Sequence, residues 1–425
     1  MDETTVRGLL ADALTDEPPM GAVTQHALRA GLRIRRRRRL LAAGGTVAAL
    51  AAVGLSLTIA GPASGHPALP ALGPAEHTVY AVDESGGTIT PVTPGRGTLG
   101  RPIRTGRDVV ASAFSPDGKT FYAVSFATGK LTPVDVSAGA AGRSIKVGRG
   151  AGAIAITPDG RTAYVANEFS GTVTPVDLAH GTAEPPIRAG AMPRAIVITP
   201  DGRTAYVLNQ ATDNPRRGSV TPVTIATGRP GRPILVGRNP LSMAITPDGK
   251  TLLVANNGVG GPGGRPTDDA SVTPIAIATN TAGKPIPTGR PYTGSFAFTP
   301  DSRTAYLPVF YSDTVITIKL ATMTIGKPIR VGASVSAVAI TPDGKTAYVV
   351  SRGSVTPVDT ATGTAGKPIR VPGPALSIVV SPDGRTVYVG SYRPGKLITI
   401  PTAANRVSRI VQVGKTGPIT VAVGP

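Results

Sequence analysis

The sequence predicts an all-β protein: a β-propeller of four-stranded blades, eight by strand count, preceded by one transmembrane helix. Three observations predict it. A six-residue turn of the form Ser/Thr-Pro-Asp-Gly/Ser-Lys/Arg-Thr occurs seven times, about four short β-like runs accompany each copy, and a long uncharged run stands near the amino terminus. Composition agrees. The 425 residues include 53 Gly and 42 Pro, and 40% are hydrophobic with no Trp, so the apolar load falls on Val, Ile, Ala and Leu. That mixture suits thin repeated layers joined by turns, and the length suits one large repeat array or two to three ordinary domains. Cysteine is absent, which rules out disulfides, thiolate metal sites and cysteine nucleophiles.

The first 39 residues read as a cytoplasmic segment. Asp2 is an N-cap for a short amphipathic helix in which Val6, Leu9, Leu10, Ala13 and Leu14 share one side, and Arg33 and Arg35 to Arg39 close the segment. Residues 40–60 then carry no charge, and as a helix they span about 31 Å, the thickness of a hydrocarbon core. Arginines before the span and none just after it place the amino terminus in the cytoplasm. A cleaved export signal with a twin-arginine pattern at Arg37 and Arg38 is the alternative. The apolar run exceeds the roughly 7–15 residues of a signal core, which favours a retained anchor. Residues 61–77, with Pro62, Pro67, Pro70 and Pro74, form a semi-rigid spacer, so residues 78–425 are extracytoplasmic on a single-pass membrane protein.

The repeated turns begin at Ser115, Thr157, Thr199, Thr246, Thr299, Thr341 and Ser381, at intervals of 42, 42, 47, 53, 42 and 40 residues. A period near 40 with four strands per unit signifies propeller blades, because one blade cannot bury both its faces alone. Within a repeat the strands, named A to D from the inside outwards, read AIAI, TAYVAN, GTVTPVDL and PPIRAG. The turn between A and B has the right chemistry: Pro presets φ, Asp bonds the local backbone and Gly supplies a positive φ. Its structural role explains it fully, so no catalytic role is assigned to it. Residues 78–105 supply strands B, C and D without an A, while Pro418 to Val423 supply an A without a B. The ends therefore complete an eighth blade and close the ring.

Pro91, Pro133, Pro175, Pro222, Pro274 and Pro357 all fall in the middle of strand C, where proline removes a ladder hydrogen bond. Either strand C is bulged there, or the proline nitrogen faces a gap where strand D pairs only partly.

Blocks such as VGRNPLSMAITPDGKTLLVAN (Val236 to Asn256) and AIAITPDGRTAYVANEFSGTVTPVDL (Ala153 to Leu178) resemble the YVTN-type β-propeller repeat of bacterial and archaeal surface proteins, over about residues 78 to 425. Members of that family commonly have seven blades, so seven is the alternative count that the resemblance implies. Related propellers include lactonases, nucleic-acid or surface-binding proteins and domains attached to redox enzymes, so the resemblance speaks for fold and does not select a function.

On a propeller the A–B and C–D connections lie on one face, and the B–C and D–A connections on the other. The two long intervals both lengthen B–C loops, residues 209–218 and 256–270, where a rigid scaffold commonly carries binding. Seven tyrosines (Tyr80, Tyr122, Tyr164, Tyr206, Tyr306, Tyr348, Tyr388) fill one strand-B slot and read as blade packing. Tyr292, Tyr311 and Tyr392 fall instead in loops of the B–C/D–A face, as do Phe126, Phe169 and Phe310. Arg107, Arg149, Arg238, Arg290 and Lys415 share a D–A position, with Arg194 near another. The candidate binding residues are therefore Arg107, Arg149, Arg238, Arg290, Lys415, Tyr292, Phe310, Tyr311 and Tyr392. Together they suit a cell-envelope polymer, a glycan or a protein ligand. Basic residues on strand D, such as Arg104, Lys146, Arg188, Arg330 and Arg370, read as protection of the blade edges.

Charge divides unevenly: residues 1–39 hold eight Arg against five acids, and the remainder holds 36 basic against 20 acidic residues. Such a surplus is compatible with nucleic acid, yet outside a cell the polyanions at hand are envelope polymers and lipid head groups. Enzyme chemistry is poorly represented. Only His26, His66, His77 and His180 are present, the first three at or before the start of the propeller, so no multi-histidine centre can form within it. No Gly-x-Ser-x-Gly elbow, phosphate loop or calcium loop occurs, so neither cofactor nor metal nor catalytic residue is expected. The rival expectation is a metal-dependent lactonase or ester hydrolase using Glu168, Asp213, Asp268 and Asp269.

Overall fold

Six-residue runs in which Val, Ile, Ala and Tyr alternate with Thr and Ser produce strands that are apolar on both faces, since each blade is covered on both sides. Strand B of the third blade, Thr162–Asn167, is buried over five of its six positions. The computed structural model describes residues 78–211, 217–258, 270–289, 294–309, 312–392, 394–414 and 419–424. The expected cytoplasmic segment, transmembrane helix and spacer lie outside these residues. Among the described residues every regular element is a strand, and no helix is long and apolar enough to cross a membrane.

The strands form eight antiparallel sheets, each running A–B–C–D in space. Blade one takes its B, C and D strands from Val79–Asp83, Thr88–Thr93 and the pair Thr98–Leu99 and Ile103–Arg104. Its innermost strand is Ile419–Val423, paired antiparallel with Val79–Asp83 in the register Val79 to Val423 and Asp83 to Ile419. The end-to-end latch expected from the sequence is thus present, and the count is eight.

The core is divided into eight apolar clusters, one between each pair of neighbouring blades. Blades seven and eight share Tyr348, Val350, Ile378 and Val389, for example, and blades eight and one share Tyr388, Leu397, Ile419, Val421 and Val79. Each fully buried Val or Ile contributes about 1.5–3 kcal/mol. The seven repeated tyrosines are all buried within these layers. Three reach the C–D turn of the next blade with their hydroxyls: Tyr206 donates to Asn280 Oδ1 at 2.6 Å, Tyr348 to Asn405 Oδ1 at 2.8 Å and Tyr80 to Val136 O at 3.5 Å. At these positions the ring fills the layer while its hydroxyl ties two blades together.

The proline problem resolves in favour of the gap. In blade three, strand C (Thr172–Asp177) pairs outwards with Thr182–Ala183 through Val176 and Asp177, and with Ile187–Arg188 through Thr172 and Val173. Thr174 and Pro175 are skipped. The Pro175 carbonyl accepts from the Glu184 N–H in the break at 2.9 Å, so the proline nitrogen faces the same opening. All six prolines sit opposite such a break. Blade six, with Thr317 in the slot, is split in the same way. Blade eight, with Thr399, keeps a continuous outer strand, Arg409–Gln412.

Candidate functional site at the mouth of the ring

The two faces of the ring differ in kind. On the A–B/C–D face the repeated turn satisfies itself. Thr157 Oγ1 donates to Asp159 Oδ1 at 2.6 Å, Asp159 Oδ1 accepts from the Arg161 N–H at 3.0 Å, and Thr162 N–H donates back to Thr157 Oγ1 at 3.1 Å. The hydroxyl bond holds the Asp159 carboxyl below the usual carboxylate range, as its counterparts do at Asp117, Asp201, Asp301 and Asp343. Arg161 lies 4.0 Å from the carboxylate and is largely exposed.

The B–C/D–A face is built on the same scaffold but varies in chemistry around the ring. Four residues after the repeated tyrosine (Leu253 in blade five) the chain passes alongside the entry to the innermost strand, which brings that residue to the mouth of the ring. Backbone bonds fix the position: Phe126 N–H to Asp108 O at 2.9 Å, Glu168 to Gly150 at 2.8 Å, Asn257 to Asn239 at 3.1 Å, Arg352 to Ala333 at 2.9 Å and Tyr392 to Pro374 at 2.9 Å. Around the ring this slot holds Glu84, Phe126, Glu168, Gln210, Asn257, Arg352 and Tyr392. Phe310, its occupant in blade six, lies outside the described residues.

Several of these groups are coupled across blades. The Glu168 carboxylate stands 3.6 Å from Arg194 Nη2, both side chains being mostly buried, and Arg194 Nε is sealed from solvent without a partner. Arg194 sits at the bulge where strand A of blade four, Ala191–Ile198, shifts register between Pro193 and Ala195, which turns its side chain out of the alternation. Gln210 Nε2 donates to Asn239 Oδ1 at 2.6 Å. Phe126 and Phe169 meet edge to face at 5.2 Å, with Phe169 60% exposed. The Phe169 ring is pinned against Gly150, whose φ is +71° and where a Cβ would come within 2.9 Å of a ring carbon.

Below the mouth, Asn167, Asn209 and Asn256 are completely buried at equivalent positions of their B strands. Asn209 Nδ2 bridges blades by donating to Ala189 O at 2.8 Å and also donates to Thr221 Oγ1 at 3.0 Å. A side chain at Gly190 would place its Cβ 2.5 Å from the Asn209 amide carbon, so glycine is required there. Glu84 completes the mouth at the closure seam. Thr420 Oγ1 donates to its Oε1 at 2.8 Å, and burial pushes its carboxyl up to about 7.

Of the residues singled out from the sequence, Arg107, Arg149 and Arg238 are exposed on this face and Tyr392 is half-buried in its slot. Arg149 is brought beside Phe169, whose N–H donates to its carbonyl at 3.2 Å, and Arg107 lies next to the Asp108 carbonyl that holds Phe126. Arg290, Lys415, Tyr292, Phe310 and Tyr311 lie outside the described residues, as do Asp213, Asp268 and Asp269. Sequence reading missed Glu84, Gln210, Asn257 and Arg352; their shared distance from the repeated tyrosine is the signal that finds them. Among the described residues no three His, Asp or Glu converge to hold a metal ion. The one acid of the lactonase set that is described, Glu168, already faces a guanidinium, an arrangement unsuited to a cation ligand.

The fold and this face define an eight-bladed β-propeller with one uniform and one varied surface. A family model described as Lactonase, 7-bladed beta-propeller matches residues 105–260, about blades two to five. Among solved structures the chain is similar to Kuenenia stuttgartiensis hydrazine synthase, at 22% identity over 69% of this chain and 95% of that one, with a TM-score of 0.55. It is also similar to the dihydro-heme d1 dehydrogenase NirN in complex with DHE, at 16% identity over 85% and 78% and a TM-score of 0.68. Apo AztD from Citrobacter koseri aligns at 13% identity over 82% and 98%, with a TM-score of 0.59. At these identities the likeness is one of fold. No curated protein matches the sequence.

Proposed function

We propose that this chain is a binding or scaffolding propeller of the YVTN-repeat type, held outside the membrane by its 40–60 segment, with its ligand seated at the mouth of the B–C/D–A face. One observation carries the reading: the same slot holds acid, aromatic, amide and cation in different blades, while the opposite face repeats one self-satisfied turn. Where repeats share a fold, positions needed for folding stay alike, and a slot that varies in chemistry yet stays at the mouth is free to serve a ligand. The Phe126–Phe169 pair offers an apolar platform, and the adjoining Glu168–Arg194 and Gln210–Asn239 pairs offer both acceptors and donors. That combination suits an envelope glycan, whose rings stack on aromatics and whose hydroxyls bond both kinds of partner.

The test is a binding screen of the full-length chain against soluble envelope oligosaccharides. Phe169→Ala and Arg194→Gln are each expected to weaken the leading ligand at least tenfold, with the Asp159→Asn turn variant unaffected. Equal binding by all variants would remove the mouth as the site. The topology has its own check: protease added to spheroplasts removes the propeller and leaves a short membrane fragment, whereas a mature amino terminus between Gly61 and Gly65 would show cleavage instead.

A lactone or ester hydrolase is the second reading, favoured by the family match across residues 105–260, which includes Glu168 and Arg194. Lactone turnover by the purified chain, with or without added divalent metal and lost on Glu168→Gln, would replace the binding reading.

A further inference from the structure

The outer strands carry a charge pattern that edge protection does not explain. Along the eight D segments, residues 98–106, 140–148, 182–190, 229–237, 281–289, 324–332, 364–373 and 405–414, there are fourteen Lys or Arg and a single acid, Glu184. Every one of these cations is exposed. Ten of the fourteen are arginine. Six of the eight D strands need no such guard, because they are already broken into pieces of at most two residues that offer a poor template for pairing. Protection would also be served by either sign of charge, and by lysine as well as arginine.

The distribution is an arc rather than an even belt. Blades six, seven, eight, one and two carry two cations each on strand D in unbroken succession, whereas Glu184 offsets Arg188 in blade three, blade five has Lys284 alone, and the pair Arg229 and Arg232 of blade four stands isolated between them. The arc runs unbroken over the closure seam, where Arg409 Nη1 donates to Arg96 O at 3.1 Å and ties blade eight to blade one. Among the described residues only Arg330 of these fourteen has a carboxylate within 4 Å, Asp313 at 3.9 Å. The turn cations of the A–B face differ, since Lys119, Arg161, Arg203 and Arg303 each stand beside their own Asp. In blade two, Lys130 is directly opposite Lys146 in register, a like-charge cross-strand pair that disfavours the isolated sheet.

We infer that this arc is a docking surface for a linear polyanion carrying phosphate groups along a flexible backbone, which follows the rim from blade six to blade two. A flexible chain can track a curved row of cations, whereas a flat membrane touches a curved rim at only a few points. Arginine forks match phosphate oxygens two at a time. A bound polyanion also supplies the counter-charge that Lys130 and Lys146 lack. The inference is independent of the mouth, which lies on the inner strands.

Long-chain inorganic polyphosphate is the probe, titrated against the full-length chain with tripolyphosphate and phosphatidylglycerol vesicles in parallel. With six to ten phosphates engaged, affinity for the long chain is expected to fall by about 10³-fold or more between 50 and 200 mM salt. Tripolyphosphate is expected to bind at least 100-fold more weakly. The variant Arg101→Gln, Arg104→Gln, Lys367→Gln, Arg370→Gln should lose at least tenfold in affinity and flatten the salt dependence. The control Lys119→Gln, Arg161→Gln, Arg203→Gln, Arg303→Gln removes the same charge from the turn face and should change affinity less than threefold. Equal losses from both variants would mean diffuse attraction and overturn the inference. So would tripolyphosphate binding as tightly as the long chain, or vesicles capturing the protein as well as the polymer does. Thermal melts of both variants, compared with the parent, verify that each is folded.

Discussion

Replacing Glu84 by Gln isolates the energetics of the closure seam. Burial is the main reason the Glu84 carboxyl rises from its ordinary 4.5 to about 7, and the Asp83 charge adds to it, while the Thr420 hydroxyl bond acts the other way. Because the folded-state value lies above the unfolded one, the folded ring holds this proton more tightly than the unfolded chain does. The stability linked to it is full below about pH 4.5 and is lost as pH rises through 7. Fully expressed, the difference is worth about 3 kcal/mol, and the partial exposure of Glu84 lowers the expected loss to about 1–3 kcal/mol. Domains are stable by only about 5–15 kcal/mol, so a loss of this size is measurable. Glutamine keeps an acceptor for Thr420 and carries no titrating proton. In urea unfolding at pH 5 and pH 8, the parent should lose about 1–3 kcal/mol more than Glu84→Gln on going to the higher pH. Parallel pH profiles for the two proteins would refute the account of Glu84 as a proton-holding group in the seam.

Three further outcomes follow from the fold. Deleting residues 417–425 removes Ile419 and Val421 from the layer between blades eight and one, at about 1.5–3 kcal/mol each, together with five ladder positions; cooperative melting should be lost, and a melt like that of the intact chain would refute the latch. Thr317→Pro, in a blade whose outer strand is already split at that slot, should change stability by less than about 1 kcal/mol, whereas Thr399→Pro should cost about 1–3 kcal/mol by breaking the one continuous outer strand; equal costs in denaturant titrations would contradict the gap as the reason prolines are tolerated. Tyr348→Phe should destabilise by about 1 kcal/mol through loss of the bond to Asn405, which a chemical melt resolves.

What the sequence made legible is what the fold repeats. The Thr-Pro-Asp-Gly turn, the strand-B tyrosine and the strand-C proline each recur because each solves the same local problem in blade after blade. Even the proline anomaly could be posed correctly as a gap or a bulge, since the missing N–H is a property of the residue itself. The end-to-end blade was legible from strand counting, because a lone A-type strand at one terminus and a B–C–D set at the other cannot both be left unpaired. The mouth was harder. Glutamate fills the slot twice and Gln210, Asn257 and Arg352 once each, so no repeated motif marks it, and only the register from the repeated tyrosine lines these residues up. The pairing of Glu168 with Arg194 depends on a one-residue bulge that no turn residue announces, and the raised Glu84 carboxyl depends on a partner strand from the far end of the chain.

That last dependence sets a timetable for folding. The Thr420–Glu84 hydrogen bond joins residues 336 apart, and the strand that carries Thr420 is made after every other strand of the ring. Blades two to eight can each assemble from strands close in sequence, but the first blade waits with its inner edge unpaired until Ile419–Val423 arrives. Closure therefore reports that the strands of all eight blades have been delivered. A chain terminated before Ile419 retains an open edge beside an exposed apolar layer, the feature by which quality-control proteases and chaperones distinguish unfinished products.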